Sequence, residues 1–323
     1  MLDKLVKIIP QISAVPHIGK LDEAAVIAAH EQSAITSIRL NALKSATTLA
    51  NLQSVPWCTA GKYLPERPVF TLDPLFHAGA YYVQEASSMF IAHAFHSLVH
   101  RGENALRILD LCAAPGGKST LLASLLNSED LLIANEVIQT RASILAENLT
   151  RWGQMNTWVT NSDPKEFGKL HSYFDLMLID APCTGSGLWR KDTEAVDEWS
   201  VEHVKLCADR QKRIVADALP SLKENGILLY ATCSYSAEEN ENMVDWIIDN
   251  LGMKSLAIET VPEWNITCTQ SSSHNAAGYR FYPWKLKGEG FFLAAFKKIS
   301  DGEKSEKESK RSKHKSNSKP NNK

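Results

Sequence analysis

The chain has 323 residues, of which 44% are hydrophobic, 8% aromatic and 22% charged, the composition of a soluble globular protein long enough for two domains and a tail. The formal charge is −2, but Ser309–Lys323 holds six basic residues and no acidic ones, which leaves −8 on residues 1–308: an acidic body with a basic end. No apolar run approaches the ~18 residues of a membrane span, and the charged amino terminus argues against export. Six scattered cysteines without Cys-x-x-Cys or His-Glu-x-x-His exclude a disulfide framework and a metal site, so a metal-free cytoplasmic protein with reduced thiols is expected.

Residues 21–33 combine good helix formers with apolar spacing of three to four, which predicts a helix. Ser37-Ile-Arg-Leu-Asn41 and Val69-Phe-Thr-Leu72 read as short strands, with a Pro- and Gly-punctuated loop from Val55 to Pro68 between them. This small α+β unit, residues 1–78, precedes a helical stretch starting at Gln84. From Arg107 the pattern becomes regular. Apolar runs at 107–112, 131–135, 157–160, 174–179 and 226–231 alternate with amphipathic stretches at 118–127, 138–152, 201–218 and 237–250, the form of βαβ crossovers. The last helix is expected to start on a Ser236-x-x-Glu239 capping box, and Phe291–Phe296 reads as a late strand after a long irregular connection. Right-handed crossovers make residues 79–299 a doubly wound, mostly parallel, Rossmann-like α/β domain. Residues 300–323 have almost nothing apolar to offset ordering and are expected to be disordered.

The chemistry gathers where these runs end. Asp110-Leu-Cys-Ala-Ala-Pro-Gly-Gly-Lys-Ser-Thr120 joins the first parallel strand to its helix, a turn that lets backbone N–H groups at a helix amino end approach a ligand. A P-loop would need its first glycine at residue 112, which is cysteine, and Gly-x-Gly-x-x-Gly is absent. What remains suits a nucleoside ligand without pyrophosphate. Glu136, at the end of the second run and twenty residues beyond Gly116, falls where an acid hydrogen-bonds ribose hydroxyls. Asp163 and Asp180 end the third and fourth runs, so the three acids read as one pocket rim. Asp180-Ala-Pro-Cys183 and Ala231-Thr-Cys-Ser234 then bring two cysteines to the same edge, which points to thiolate nucleophile chemistry; a redox pair is the rival reading.

At Cys112-Ala-Ala-Pro-Gly-Gly-Lys118, Asp180-Ala-Pro-Cys183 and Ala231-Thr-Cys-Ser234, with Ser37–Asn41, Val55-Pro-Trp-Cys58, Tyr81–Ser88 and Gly290–Ala294, the sequence resembles the Sun/Nop family of S-adenosylmethionine-dependent RNA cytosine-5 methyltransferases, nearest its bacterial ribosomal RNA, Fmu/RsmF-like branch. The resemblance implies a class I methyltransferase fold. It implies that Cys112, Ala113, Ala114, Pro115, Gly116, Gly117 and Lys118, with Glu136, Asp163 and Asp180, hold S-adenosylmethionine. It also implies that Cys233 is the nucleophile and that Cys183 helps to release the product, while Asp180 faces the cytosine N3/N4 edge. The implied substrate is ribosomal RNA, with transfer RNA as the alternative and a monomeric enzyme expected; a non-catalytic RNA-binding assembly factor is disfavoured by the intact Cys183, Asp180 and Cys233. Members of this branch usually continue into a carboxy-terminal RNA-binding module. RNA positioning is therefore expected from residues 1–78, from Arg141, Arg151, Arg190 and Lys191, or from the basic tail. Trp284, where the branch would have histidine, is given no function.

Overall fold

The computed structural model describes residues 2–299, so the expected disordered tail, residues 300–323, lies outside the described residues. Near the amino end, β1 (Ser37–Leu40), β2 (Ser54–Val55), β3 (Cys58–Tyr63) and β4 (Tyr81–Val83) form an antiparallel sheet in the order β2-β3-β1-β4. The stretch expected as a loop at 55–68 thus carries most of a hairpin. Its strand Cys-Thr-Ala-Gly-Lys-Tyr has weak local propensity but lies between two partners, and pairing overrides propensity. Conversely, Val69–Leu72 forms no strand. Phe70–Leu72 is a 3₁₀ turn, and Asp73 caps the short helix Pro74–His77 by accepting from Leu75 N at 2.9 Å. The first sheet is completed by β4, which follows residue 78, the boundary expected from sequence.

The second sheet has nine strands. Five are parallel: β5 (Arg107–Asp110), β6 (Leu131–Asn135), β7 (Thr157–Thr160), β8 (Phe174–Asp180) and β9 (Leu222–Thr232), in the spatial order β7-β6-β5-β8-β9. Beyond β9 the sheet turns antiparallel through β10 (Met253–Leu256), β11 (Thr267–Gln270), β12 (Ala277–Phe281) and β13 (Phe291–Lys298). β13 pairs with β9 along one side, and with β12 and β10 in succession along the other. The connection read as irregular is therefore three further strands. They are short, partly polar and joined without helices, so the βαβ rhythm that reveals β5 to β9 is missing from them. Helices Gly117–Ala123, Gln139–Trp152, Val201–Ala218 and Glu241–Leu251 fill the expected crossover positions.

Strand pleating divides the core in two. Ile108, Leu176, Leu178, Leu229, Leu293 and Ala295 face one layer, shared with Phe90 and Ile91 of the helix Phe90–Leu98 and with Val55, Trp57 and Tyr63 of the first sheet. Leu109, Met177, Ile179, Leu228, Tyr230, Ala294 and Phe296 face the other, under Ile214, Val215, Val244 and Ile247. The small sheet thus shares its core with one face of the large one. A third cluster packs Leu5, Ile9, Ile12 and Val26 against Trp189, Trp199 and Tyr235. No helix among the described residues is long and apolar enough to cross a membrane.

The strand order reverses at β5: the chain runs outward through β6 and β7 on one side, and through β8 and β9 on the other. In an open α/β sheet that reversal opens a crevice beyond the carboxyl ends of the strands. All the acids and both cysteines singled out above lie at those ends.

Candidate active site

The loop after β5 is held from both neighbours. Leu111 N donates to Leu178 O at 2.9 Å and Ala113 N to Asn135 O at 2.8 Å. Asn148 Nδ2 donates to Pro115 O at 2.7 Å and Arg141 Nη2 to Ala114 O at 2.9 Å, so the helix Gln139–Trp152 grips the turn from outside. Gly116 has φ 113°, a left-handed conformation that glycine adopts without strain, and from it the helix Gly117–Ala123 begins. Asp110, fully buried beneath the turn, accepts from Ser119 Oγ at 2.7 Å on one oxygen, while its other oxygen has no partner. Burial pushes this carboxyl up to about 7 against the opposing Ser119 hydrogen bond.

The acids expected at the rim are all there, in unequal settings. Glu136 is buried; it accepts from Ile138 N at 3.0 Å and lies 3.6 Å from Arg141 Nη1. Asp163 caps the helix Pro164–Gly168 by accepting from Lys165 N at 3.1 Å, so part of its carboxylate serves the fold. Asp180 accepts from Lys118 Nζ at 2.6 Å, an ion pair that ties the cofactor-type turn to the end of β8. Burial pulls the Lys118 ammonium down, but the charge and hydrogen bond of Asp180 outweigh it and the net shift is upward. Cys112 stands in this turn, its thiol pushed up by burial and then by Asp110.

Next to this turn the two cysteines meet. Cys183 Sγ and Cys233 Sγ are 3.1 Å apart, fifty residues apart in sequence, and Cys233 N lies 3.4 Å from Cys183 Sγ. Both are partly exposed and unbonded as thiols. The loops carrying them are zipped together: Gly187 N donates to Cys233 O at 2.8 Å, and Tyr235 N to Ser186 Oγ at 2.7 Å. Two thiols at this distance cannot both ionise. The Cys183 thiol is pushed well up by its contact with Cys233, by burial and by Glu239.

Glu239 is the residue the sequence reading misassigned. The helix starts at Glu241, and Ser236 Oγ is buried without a partner, so no capping box forms. Instead the fully buried Glu239 accepts from Thr184 N at 3.1 Å and Gln211 Nε2 at 3.0 Å on one oxygen. Its other oxygen accepts from Thr184 Oγ1 at 2.6 Å and Ser234 Oγ at 2.5 Å. Gln211 also donates to Pro182 O at 3.1 Å and accepts from Tyr230 OH at 2.9 Å. One signal was legible: Gln211 falls on the buried stripe of its helix, with Val204, Cys207, Ala208, Ile214 and Val215, where a polar residue needs a partner.

Of the cations expected to meet RNA, Arg141 is about half exposed, whereas Arg190 turns inward onto Glu289 at 2.8 Å, with side-chain exposures of 4% and 1%. Arg151 stacks over Phe76 at 4.5 Å, and Lys191 approaches Glu289 at 4.0 Å. Among the described residues no group of three or more His, Cys, Asp or Glu is arranged to hold a metal ion.

Comparison with known proteins supplies the family. Residues 98–297 match the family 16S rRNA methyltransferase RsmB/F, and residues 13–86 match the N-terminal domain of 16S rRNA methyltransferase RsmF. Ribosomal RNA small subunit methyltransferase F of Vibrio atlanticus is 33% identical over 296 residues, which are 87% of this chain and 61% of that protein. The protein of the same name from Aeromonas hydrophila subsp. hydrophila is 36% identical over 280 residues, 81% of this chain and 57% of that one. The chain thus spans about 60% of the length of the curated relatives it matches. Among solved structures, a methyltransferase homolog protein from Pyrococcus horikoshii superposes with a TM-score of 0.74 at 28% identity, covering 92% of this chain and 98% of that one. NSun6 from the same organism shares the fold, with a TM-score of 0.71 at 22% identity, over 86% of this chain and 94% of its own. With the matched region running from before β5 into β13, the chain belongs to the 16S rRNA methyltransferase RsmB/F family.

Proposed function

We propose that the protein transfers a methyl group from S-adenosylmethionine to C5 of a cytosine in small-subunit ribosomal RNA. The observation that carries this reading is the pair of thiols 3.1 Å apart, beside a cofactor-type turn whose Lys118 is bonded to Asp180 at 2.6 Å. The donor set fits the cofactor. Glu136, Asp163 and Asp180 make the crevice acidic, which suits a sulfonium cation and an ammonium group and disfavours a pyrophosphate. Glu136 would take the ribose hydroxyls, Asp163 the base, Asp180 the ammonium, and the backbone of Cys112–Lys118 the carboxylate. When bound, S-adenosylmethionine supplies an electrophilic methyl group.

C5 of cytosine is a poor nucleophile, which is the problem that the thiols solve. The Cys233 thiolate forms a bond to C6, and the electrons of the C5–C6 double bond shift toward C5, which becomes the attacking carbon. The Asp180 carboxylate would accept from the cytosine amino group while Lys118 holds it in position. Once C5 carries the methyl group, its proton leaves to a base. The C–H electrons restore the C5–C6 double bond, the C6–S bond breaks, and the thiolate returns to Cys233. Cys183, in contact with that sulfur, serves this release. A stacked base cannot reach such a crevice, so the target cytosine is turned out of its helix. The amino-terminal sheet, packed against the catalytic core, positions the RNA. The protein works as a monomer in the cytoplasm, where thiols stay reduced.

The test is to incubate the protein and S-adenosylmethionine with small-subunit RNA, assembled small subunits and transfer RNA from cells lacking it, and to map 5-methylcytosine. No mark anywhere would overturn the enzymatic reading; a mark confined to transfer RNA would overturn the ribosomal one. Cys183→Ala is expected to accumulate a covalent RNA adduct and Cys233→Ala to form none. The reverse pattern would make Cys183 the nucleophile.

A further inference from the structure

The two thiols are chemically alike and in contact, so something must decide which one carries the negative charge. We infer that Glu239 is the residue that decides it: its buried carboxylate, fixed against the Cys183 loop, keeps Cys183 protonated and leaves the thiolate to Cys233. This deepens the proposed function and rests on its assignment of Cys233 as nucleophile. Glu239 is bonded to both the amide and the hydroxyl of Thr184, the residue after Cys183, and Gln211 joins the same carboxylate to Pro182 O, the residue before it. Its charge is therefore anchored along the Cys183 loop, whereas it reaches the Cys233 loop through one hydroxyl, Ser234 Oγ. Lys118, bonded to Asp180 and lying over Phe291 at 5.5 Å, interacts electrostatically with Cys233. A carboxylate bonded along the Cys183 loop disfavours a thiolate there more than at Cys233.

The groups around Glu239 suit a carboxylate. Two N–H groups converge on one oxygen and two hydroxyls on the other, four donors on a group that is fully buried. Burial raises its pKa above the ordinary carboxylate value, and the bonds from Ser234, Thr184 and Gln211 oppose that rise without cancelling it. The same arrangement gives a clean variant. In Glu239→Gln the amide oxygen can face Thr184 N and Gln211 Nε2, while the amide nitrogen faces the two hydroxyls, which rotate to accept. Glu239→Gln thus removes the charge and keeps the shape.

The experiment needs neither RNA nor cofactor. The full chain is treated with iodoacetamide at pH 7.5, and alkylation of Cys183 and Cys233 is followed separately by peptide mass spectrometry. The parent is expected to react faster at Cys233. Glu239→Gln should raise the Cys183-to-Cys233 ratio by about tenfold or more, the effect of roughly one pKa unit. An unchanged ratio in folded Glu239→Gln would overturn the inference. Ser234→Ala withdraws one donor but leaves the charge, so its ratio should not move toward Cys183; a purely geometric clamp would loosen in both variants and move both ratios the same way. A tenfold move toward Cys183 in Ser234→Ala would therefore refute the charge argument even if Glu239→Gln failed to fold. Failure of methyl transfer in the assays above, with this labelling bias intact, would sink the proposed function alone.

Discussion

Arg39→Leu tests whether the amino-terminal sheet is an integral support of the cofactor-type turn. Arg39 is 2% exposed and reaches from β1 to the helix Gly117–Ala123, donating to Thr120 Oγ1 at 2.6 Å, Gly117 O at 3.4 Å, Ser124 Oγ at 3.1 Å and Gln84 Oε1 at 2.7 Å. Its guanidinium also lies 4.3 Å over the Trp152 ring. The charged bond to Thr120 contributes about 1.5–3 kcal/mol, the desolvated contact with Trp152 about 2, and depriving Gln84 Oε1 of its donor costs about 1–3. Against these stands the desolvation of the guanidinium itself, which lowers its pKa to about 9. Recovering part of that penalty leaves a net loss of about 3 kcal/mol, or roughly 5 °C in Tm for a chain of this size. Thermal unfolding by circular dichroism reads the Tm, and calorimetry reads S-adenosylmethionine binding, expected to weaken about tenfold as Gly117 and Thr120 lose their tether. A Tm within 2 °C of the parent and unaltered binding would refute the reasoning, and would make the small sheet a separable appendage.

Two further expectations concern the crevice. An alanine Cβ at Gly187 would lie 2.5 Å from Gly290 O and 2.8 Å from Cys233 O, whereas at Gly185 it would meet nothing within 4 Å and face only the strain of φ 69°. Gly187→Ala should therefore lose at least about 3 kcal/mol in urea unfolding and Gly185→Ala about 1; equal losses would contradict the wedge. Asp110 carries a folded-state pKa of about 7 against an ordinary value of 3.8, so its contribution to stability is fully present below pH 4 and is lost as pH rises through 7. Stability of the parent relative to Asp110→Asn should fall by about 3–4 kcal/mol between pH 4 and pH 8, and a difference independent of pH would show that the carboxyl does not titrate as its burial requires.

The parallel half of the large sheet is legible in the local sequence, as are the residues that gather at its edge. Leu131–Asn135 and Phe174–Asp180 are apolar runs that stop on polar residues, and burial on both faces leaves such a strand no other pattern. A turn rich in small residues and a cysteine at a strand end are equally local, so Cys112–Lys118, Glu136, Asp163, Asp180, Cys183 and Cys233 could be placed at one rim before any contact was seen. Tertiary structure alone decided what those residues touch. β10 to β12 are recognised only through their partners, and Cys58–Tyr63 becomes a strand because β1 and β2 flank it. Glu239 obeys the spacing of a helix cap, yet it folds onto Thr184, fifty-five residues earlier in the chain, because a buried carboxylate goes where four donors converge. Arg39 joins residues some eighty positions away for the same reason. Hydrophobic period is a property of neighbours in sequence and survives without the fold; the satisfaction of a buried charge is a property of neighbours in space.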